Sequence, residues 1–124
     1  MAILDTSIII DFLSGDEGII SRVHELARNG KLRTTTITEY ELLKHKNELK
    51  KDFAKKLLMT LEICPFDRRA ATEAALVFAE LSKKGKMINE NDILIIGISS
   101  ANGDLLVTRD QKFKNITGRD IEII

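Results

Sequence analysis

The stretch Ala2-Ile3-Leu4-Asp5-Thr6-Ser7-Ile8-Ile9-Ile10-Asp11-Phe12-Leu13-Ser14-Gly15 decides the fold. Three apolar residues without alternation read as a strand buried on both faces, the kind found inside a parallel sheet. An acid and two hydroxyls follow. The sequence then changes period: Ile8, Ile9, Phe12 and Leu13 share one face of a short helix, with Thr6 or Ser7 as its cap and Ser14-Gly15 as its stop. The same grammar returns near the other end, where Leu105–Thr108 is a short apolar run followed by Arg109-Asp110.

Between these two units the pattern keeps alternating. Ile19, Ile20, Val23, Leu26 and Ala27 recur at helical spacing before Asn29-Gly30, and Leu32–Thr35 reads as a second strand. A helix begins near Thr36–Thr38, and Leu49, Phe53, Leu57 and Leu58 belong to the next. Leu61–Cys64 is a third strand closed by Pro65. Asp67 caps a long helix with Ala71, Ala74, Ala75, Phe78 and Leu81 inward, ended by Gly85. Asn89 caps another from Glu90 to Ala101, stopped at Asn102-Gly103, and Ile121–Ile124 is the last strand. Strands alternating with helices imply parallel pairing through right-handed crossovers. The expected fold is one α/β domain over residues 1–124, a three-layer α/β/α sandwich with a central parallel sheet.

Composition narrows the classes of function. A single cysteine, Cys64, excludes an internal disulfide framework and a Cys-rich zinc site, and suits a reducing, cytoplasmic setting. No window approaches ~18 unbroken apolar residues, so no membrane span is expected. The N-terminus opens into a strand with no basic, apolar export signal. Formal charge is zero, so contact with nucleic acid has to come from local basic patches. Arg109, Lys112 and Lys114 are expected near the mouth of the sheet; the other lysines read as solvated helix faces. His24 and His45 have no catalytic or ligand partner nearby in sequence.

In parallel sheets, ligands collect in the crevice outside the carboxyl ends of the strands. Asp5 and Asp110 fall there, and Glu41 and Asp92 are expected in the first turns of their helices. Each acid also has a purely structural reading. Asp5 fits a helix cap, Thr38-Glu39-Tyr40-Glu41 fits a capping box, Glu39 pairs likewise with Thr36, Asp92 suits a helix dipole, and Asp110 suits a turn before Phe113. Taken together, four carboxylates at one sheet edge repel unless a cation lies between them. Hard oxygen donors favour Mg²⁺ or Mn²⁺, and metal held by carboxylates alone commonly serves phosphate-ester chemistry. An aspartyl phosphatase would want a second Asp where Ser7 stands, and a phosphorylation receiver an Asp where Cys64-Pro65 stands.

Four segments, LDTSIIIDFLSGD (Leu4–Asp16), TITEYELL (Thr36–Leu43), INENDILIIGIS (Ile88–Ser99) and LLVTRDQKF (Leu105–Phe113), resemble in order and spacing the motif regions of PIN-domain ribonucleases. The resemblance is greatest to the VapC-type toxins of toxin–antitoxin pairs. It implies an endoribonuclease with Asp5, Glu41, Asp92 and Asp110 as its catalytic and metal-binding acids. It also implies supporting roles for Thr6, Ser7 and Thr108, and polar positions at Glu90 and Asn91. As partners it implies RNA, a cognate antitoxin and a second copy of the chain as a homodimer. Ile96-Gly97 departs from the family's usual small pair, and the helical insert from Lys44 to Thr60 is short. A housekeeping RNA-processing nuclease of the same family, or a non-catalytic binding module, is the alternative.

Overall fold

The computed structural model describes residues 1–124. Five parallel strands form one sheet: β1 (Ala2–Leu4), β2 (Leu32–Thr35), β3 (Glu62–Cys64), β4 (Leu105–Thr108) and β5 (Ile121–Ile123), in the order β3-β2-β1-β4-β5. The helices are α1 (Thr6–Leu13), α2 (Glu17–Arg28), α3 (Thr36–Leu43), α4 (Glu48–Leu58), α5 (Arg68–Lys84) and α6 (Glu90–Asn102), with a 3₁₀ turn at Gln111–Asn115. The three-layer sandwich expected from the alternation is present. Its strand order reverses at β1, so the crevice at a topological switch point lies between the ends of β1 and β4.

Alternation along each strand divides the core. Ile3 and Leu106 point into a cluster with Ala70, Ala74, Val77 and Leu81 of α5 and Ile93, Ile95, Ile96 and Ile98 of α6. Ala2, Leu4 and Val107 point to the opposite face, against Ile8 and Ile9 of α1, Ile19, Val23 and Leu26 of α2, and Ala54 and Leu58 of α4. Helix α6 is buried nearly all round, as its apolar sequence required. Cys64 is a buried free thiol, a small core residue.

Several local expectations shift. The buried stripe of α5 is Ala70, Ala74, Val77 and Leu81; Ala71, Ala75 and Phe78 face solvent, because α5 packs on α6 through its Ala70–Ala74 side and not through the face that Phe78 suggested. Strand β3 starts at Glu62. Helix α1 is capped by Asp5, whose carboxylate accepts from Thr6 N at 2.7 Å; Thr6 and Ser7 are its first helical residues. Helix α3 is capped by Thr35, whose hydroxyl accepts from Thr38 N at 3.0 Å.

Gly97 governs the closest approach between helices. A Cβ placed there would lie 2.6 Å from the Ala70 carbonyl and 2.8 Å from the Ala74 Cβ, so α5 presses directly on α6. Such contact fixes α6, and with it the position of Asp92 in its first turn. Gly97→Ala is expected to destabilise by about 1–3 kcal/mol in denaturant unfolding despite the better helix propensity of alanine, because the backbones must separate. A stabilised variant would mean that the two helices do not touch there.

Candidate active site

Asp5 is 3% exposed, and its two oxygens are occupied by different elements. Oδ1 accepts from Thr6 N at 2.7 Å. Oδ2 accepts from the Thr108 hydroxyl at 2.6 Å and from the Ser7 hydroxyl at 3.1 Å. Thr108 ends β4 and Ser7 opens α1, so the carboxylate ties the two strand ends together at the switch point. The loop after β4 is tied in as well: Arg109 N donates to Ser7 Oγ at 3.2 Å and Asp110 N to Thr108 Oγ1 at 3.1 Å. Burial pushes the Asp5 carboxyl above the ordinary carboxylate range; the hydrogen bonds from Thr108, Thr6 and Ser7 oppose the shift, and the charge of Glu41 adds to it.

Glu41 is the sixth residue of α3, not a first-turn acid, and the expected capping box does not form. Thr35 has taken the cap, which places Thr38 inside the helix and turns Glu41 toward α1. There its Oε1 accepts from the Thr6 hydroxyl at 2.7 Å. Glu39 has no part in a Thr36 capping box either, since Thr36 is already helical.

Asp92 occupies the third position of α6, behind the cap Asn89. It is half-buried, and its pKa is pushed up to about 7. Burial is the main cause, followed by repulsion from Asp5, Asp110 and Glu41, with Lys112 acting weakly against them. The four acids read from the sequence therefore share one electrostatic neighbourhood. Asp110 has a second duty, accepting from Lys112 N at 2.9 Å and so capping the 3₁₀ turn. Asn91 lies beside Asp92 on the first turn, its backbone N–H donating to Asn89 Oδ1 at 2.9 Å.

The basic residues expected at the mouth separate. The Arg109 guanidinium turns away to Asp11 at 3.0 Å and Asp16 at 2.9 Å, bracing the α1–α2 corner; Lys112 remains close enough to act on Asp92. His24 lies edge-on to Phe12 and His45 accepts from Asn47 N, so neither joins the site. A cavity of about 860 Å³ between α1, α2 and the end of α4 is lined by apolar groups such as Leu4, Phe12, Val23 and Leu57 and contains none of the four acids.

Two features escape a reading of the sequence. Arg33 on β2 pairs with buried Asp104 at 2.9 Å and with Glu62 at 3.4 Å, a network at the opposite end of the strands that no spacing rule exposes. Thr38 is completely buried among hydroxyls beside Glu41. Its signal is the run Thr34-Thr35-Thr36, which offers three equivalent caps and conceals which threonine is left for the site.

No three acidic, histidine or cysteine side chains are drawn together as a ready-made ligand shell. The donors nevertheless suit Mg²⁺ or Mn²⁺, which retain several waters and need only one or two direct carboxylates. A half-buried acid raised to about 7 by burial and, after it, by three like charges marks a place short of positive charge.

Comparison with known proteins agrees with this architecture. The PIN domain family model matches residues 2–119. The chain is 25% identical to a chain of VapBC2 from Rickettsia felis, in a structure bound to a promoter DNA fragment, with a TM-score of 0.87 over 99% of this chain and 98% of the other. It is 26% identical to a chain of DNA-bound VapBC from Salmonella typhimurium, with a TM-score of 0.83 over 98% and 96%. With VapBC-5 of Mycobacterium tuberculosis, a member of the VapBC family of toxin–antitoxin systems, the identity is also 26%, at a TM-score of 0.71 over 99% and 97%. No curated protein matches the chain by sequence.

The site carries a signed pH dependence. The folded pKa of Asp92, about 7, lies above its ordinary value of 3.8, so between those pH values the native chain keeps a proton that the unfolded chain has released. In EDTA, stability should fall as pH rises from about 4 to about 7 and then level off. The fall is at most about 1.4 kcal/mol for each pH unit crossed in that window. Asp5 shifts in the same direction, so Asp92→Asn should flatten the slope without abolishing it. Variant and wild type should unfold alike near pH 4, with the variant more stable at pH 8. Equal slopes would show that the Asp92 carboxyl is not raised in the folded chain. On the family match across residues 2–119 and the full-length likeness to these structures, this chain belongs to the PIN-domain family.

Proposed function

We propose that the chain is a metal-dependent endoribonuclease that cleaves RNA phosphodiester bonds, and that it is the toxin of a toxin–antitoxin pair. The observation that carries the reading is Asp92, pushed up to about 7 inside a crevice shared with Asp5, Glu41 and Asp110. Burying an acid among like charges is costly in an idle protein and useful in one that recruits a cation and then a polyanion. The toxin assignment is supported by the VapBC complexes among its structural relatives. The same complexes support a cognate antitoxin as partner, and a homodimeric state is part of this proposal. A cytoplasmic location fits the lone free thiol and the absence of a helix long and apolar enough to cross a membrane.

In this reading Asp5, Glu41, Asp92 and Asp110 hold Mg²⁺ or Mn²⁺. When bound, the ion supplies positive charge beside the scissile phosphate and makes water more acidic there. The chain's own residues set the geometry. Asp5 is immobilised by Thr6 N, Ser7 and Thr108, so its position does not depend on a cation. Glu41 is anchored through Oε1 by Thr6, leaving Oε2 for the crevice. Asp110 is fixed by the turn it caps. Asp92, pushed up to about 7, releases its proton near neutral pH and so would match the charge of the site to a bound cation. Asn91 follows as a supporting residue in this reading, since it lies beside Asp92 on the first turn of α6.

Asp5→Asn and Asp92→Asn should each lower Mg²⁺- or Mn²⁺-dependent cleavage of RNA on the order of 10²-fold or more, as deletion of a preorganised charged group does. Glu41→Gln is the sharper variant, since glutamine keeps an acceptor for Thr6 and loses only charge. EDTA should abolish cleavage by the wild type. Cleavage indifferent to EDTA, or undiminished in all three variants, would refute the metal mechanism. Co-expression with the product of an adjacent small open reading frame should give a complex with suppressed cleavage; an active chain with no such partner would be a housekeeping nuclease.

A further inference from the structure

We propose that Thr38, with Thr35 behind it, is a positioning residue for Glu41, acting through the Thr6 hydroxyl. The inference rests on the nuclease reading and concerns how one of its acids is aimed. Thr38 is 0% exposed, as is Thr35. Inside a helix, a threonine hydroxyl ordinarily bonds back to a carbonyl of the preceding turn. Thr38 Oγ1 instead lies 3.0 Å from Thr6 Oγ1 and 3.3 Å from Thr35 Oγ1. Thr6 Oγ1 in turn lies 2.7 Å from Glu41 Oε1.

Counting protons fixes the direction of the chain. A hydroxyl has one proton to donate, and an ionised carboxylate only accepts. The Thr6 proton is therefore committed to Glu41. Its contact with Thr38 must run with Thr38 as donor, which leaves Thr38 to accept from Thr35. Thr35 Oγ1 is itself oriented by the N–H of Thr38, at 3.0 Å. The result is a buried relay, Thr35 to Thr38 to Thr6 to Glu41, in which every hydroxyl points toward the carboxylate. It starts at the end of β2 and finishes at the crevice, so the sheet sets the rotamer of an acid six residues into a helix. Valine would fill the same volume at position 38 without burying a polar group, so packing alone gives the hydroxyl no reason to be there.

Removing an outer partner of this kind typically weakens metal binding about 10–100-fold. The test is Mg²⁺ titration calorimetry on wild type, Thr38→Val, Thr38→Ala and Thr38→Ser, with melting in EDTA measured in parallel. Thr38→Val and Thr38→Ala should bind Mg²⁺ at least about tenfold more weakly per folded molecule, while Thr38→Ser stays within about twofold of wild type. Alanine covers the case in which the valine methyl does not fit among the hydroxyls. A purely structural hydroxyl would lower the melting temperature and leave the affinity of the folded protein unchanged. That result, or a failure of both Thr38→Val and Thr38→Ala to fold, overturns the proposal. Wild type that binds neither Mg²⁺ nor Mn²⁺ refutes the nuclease reading itself, whereas wild-type binding that Thr38→Val matches refutes only the relay.

Discussion

Repulsion among carboxylates at the switch point is the constraint around which the rest of this molecule is arranged. Asp5 is almost fully buried, and Asp92 is raised to about 7 by burial and by three acidic neighbours. A fold that merely minimised free energy would place these side chains apart. Here each is held from a separate element: the end of β1, the middle of α3, the first turn of α6 and the loop after β4. The scaffold has to be stiff enough to resist their separation. The direct contact of α5 with α6 at Gly97 and the two-sided burial of β1 and β4 provide that stiffness.

Hydroxyl groups reconcile burial with charge. Asp5 is surrounded by donors from Thr6, Ser7 and Thr108, and Glu41 by Thr6. At Asp5 these bonds stabilise the charged form of a desolvated carboxylate and pull against the burial that raises its pKa. They leave the acids oriented but not neutralised. Arginine would neutralise them, and Arg109, next to Asp110 in sequence, is instead kept on Asp11 and Asp16. That separation preserves the negative character of the crevice.

Much of this is legible in the sequence, for definite reasons. Strands β1 and β4 are continuous apolar runs ending in acids, and such runs occur only where both faces are buried, so the sheet edge carrying Asp5 and Asp110 can be read directly. Asp92 stands out because a helix apolar all round opens on Glu90-Asn91-Asp92. Glu41 is harder. Thr38 and Glu41 have the spacing of a capping box, and only tertiary structure reveals that Thr35 caps the helix and leaves Thr38 inside. The inward face of α5 is misread from sequence because Phe78 outweighs Ala70 and Val77 as a marker of burial, although it lies on the solvent side. Long-range pairs such as Arg33 with Asp104 have no local signature, since the two positions meet only through the register of β2, β1 and β4.

The central claim is that the crevice stores unfavourable charge that a cation relieves. Proton release during Mg²⁺ binding measures this directly, by calorimetry at pH 7 in buffers of differing ionisation enthalpy. With Asp92 raised to about 7, roughly half of it is protonated there, and binding should release roughly half a proton per ion. Release should vanish by about pH 9, where the group is already ionised. Mg²⁺ binding with no proton release at pH 7 would contradict the account.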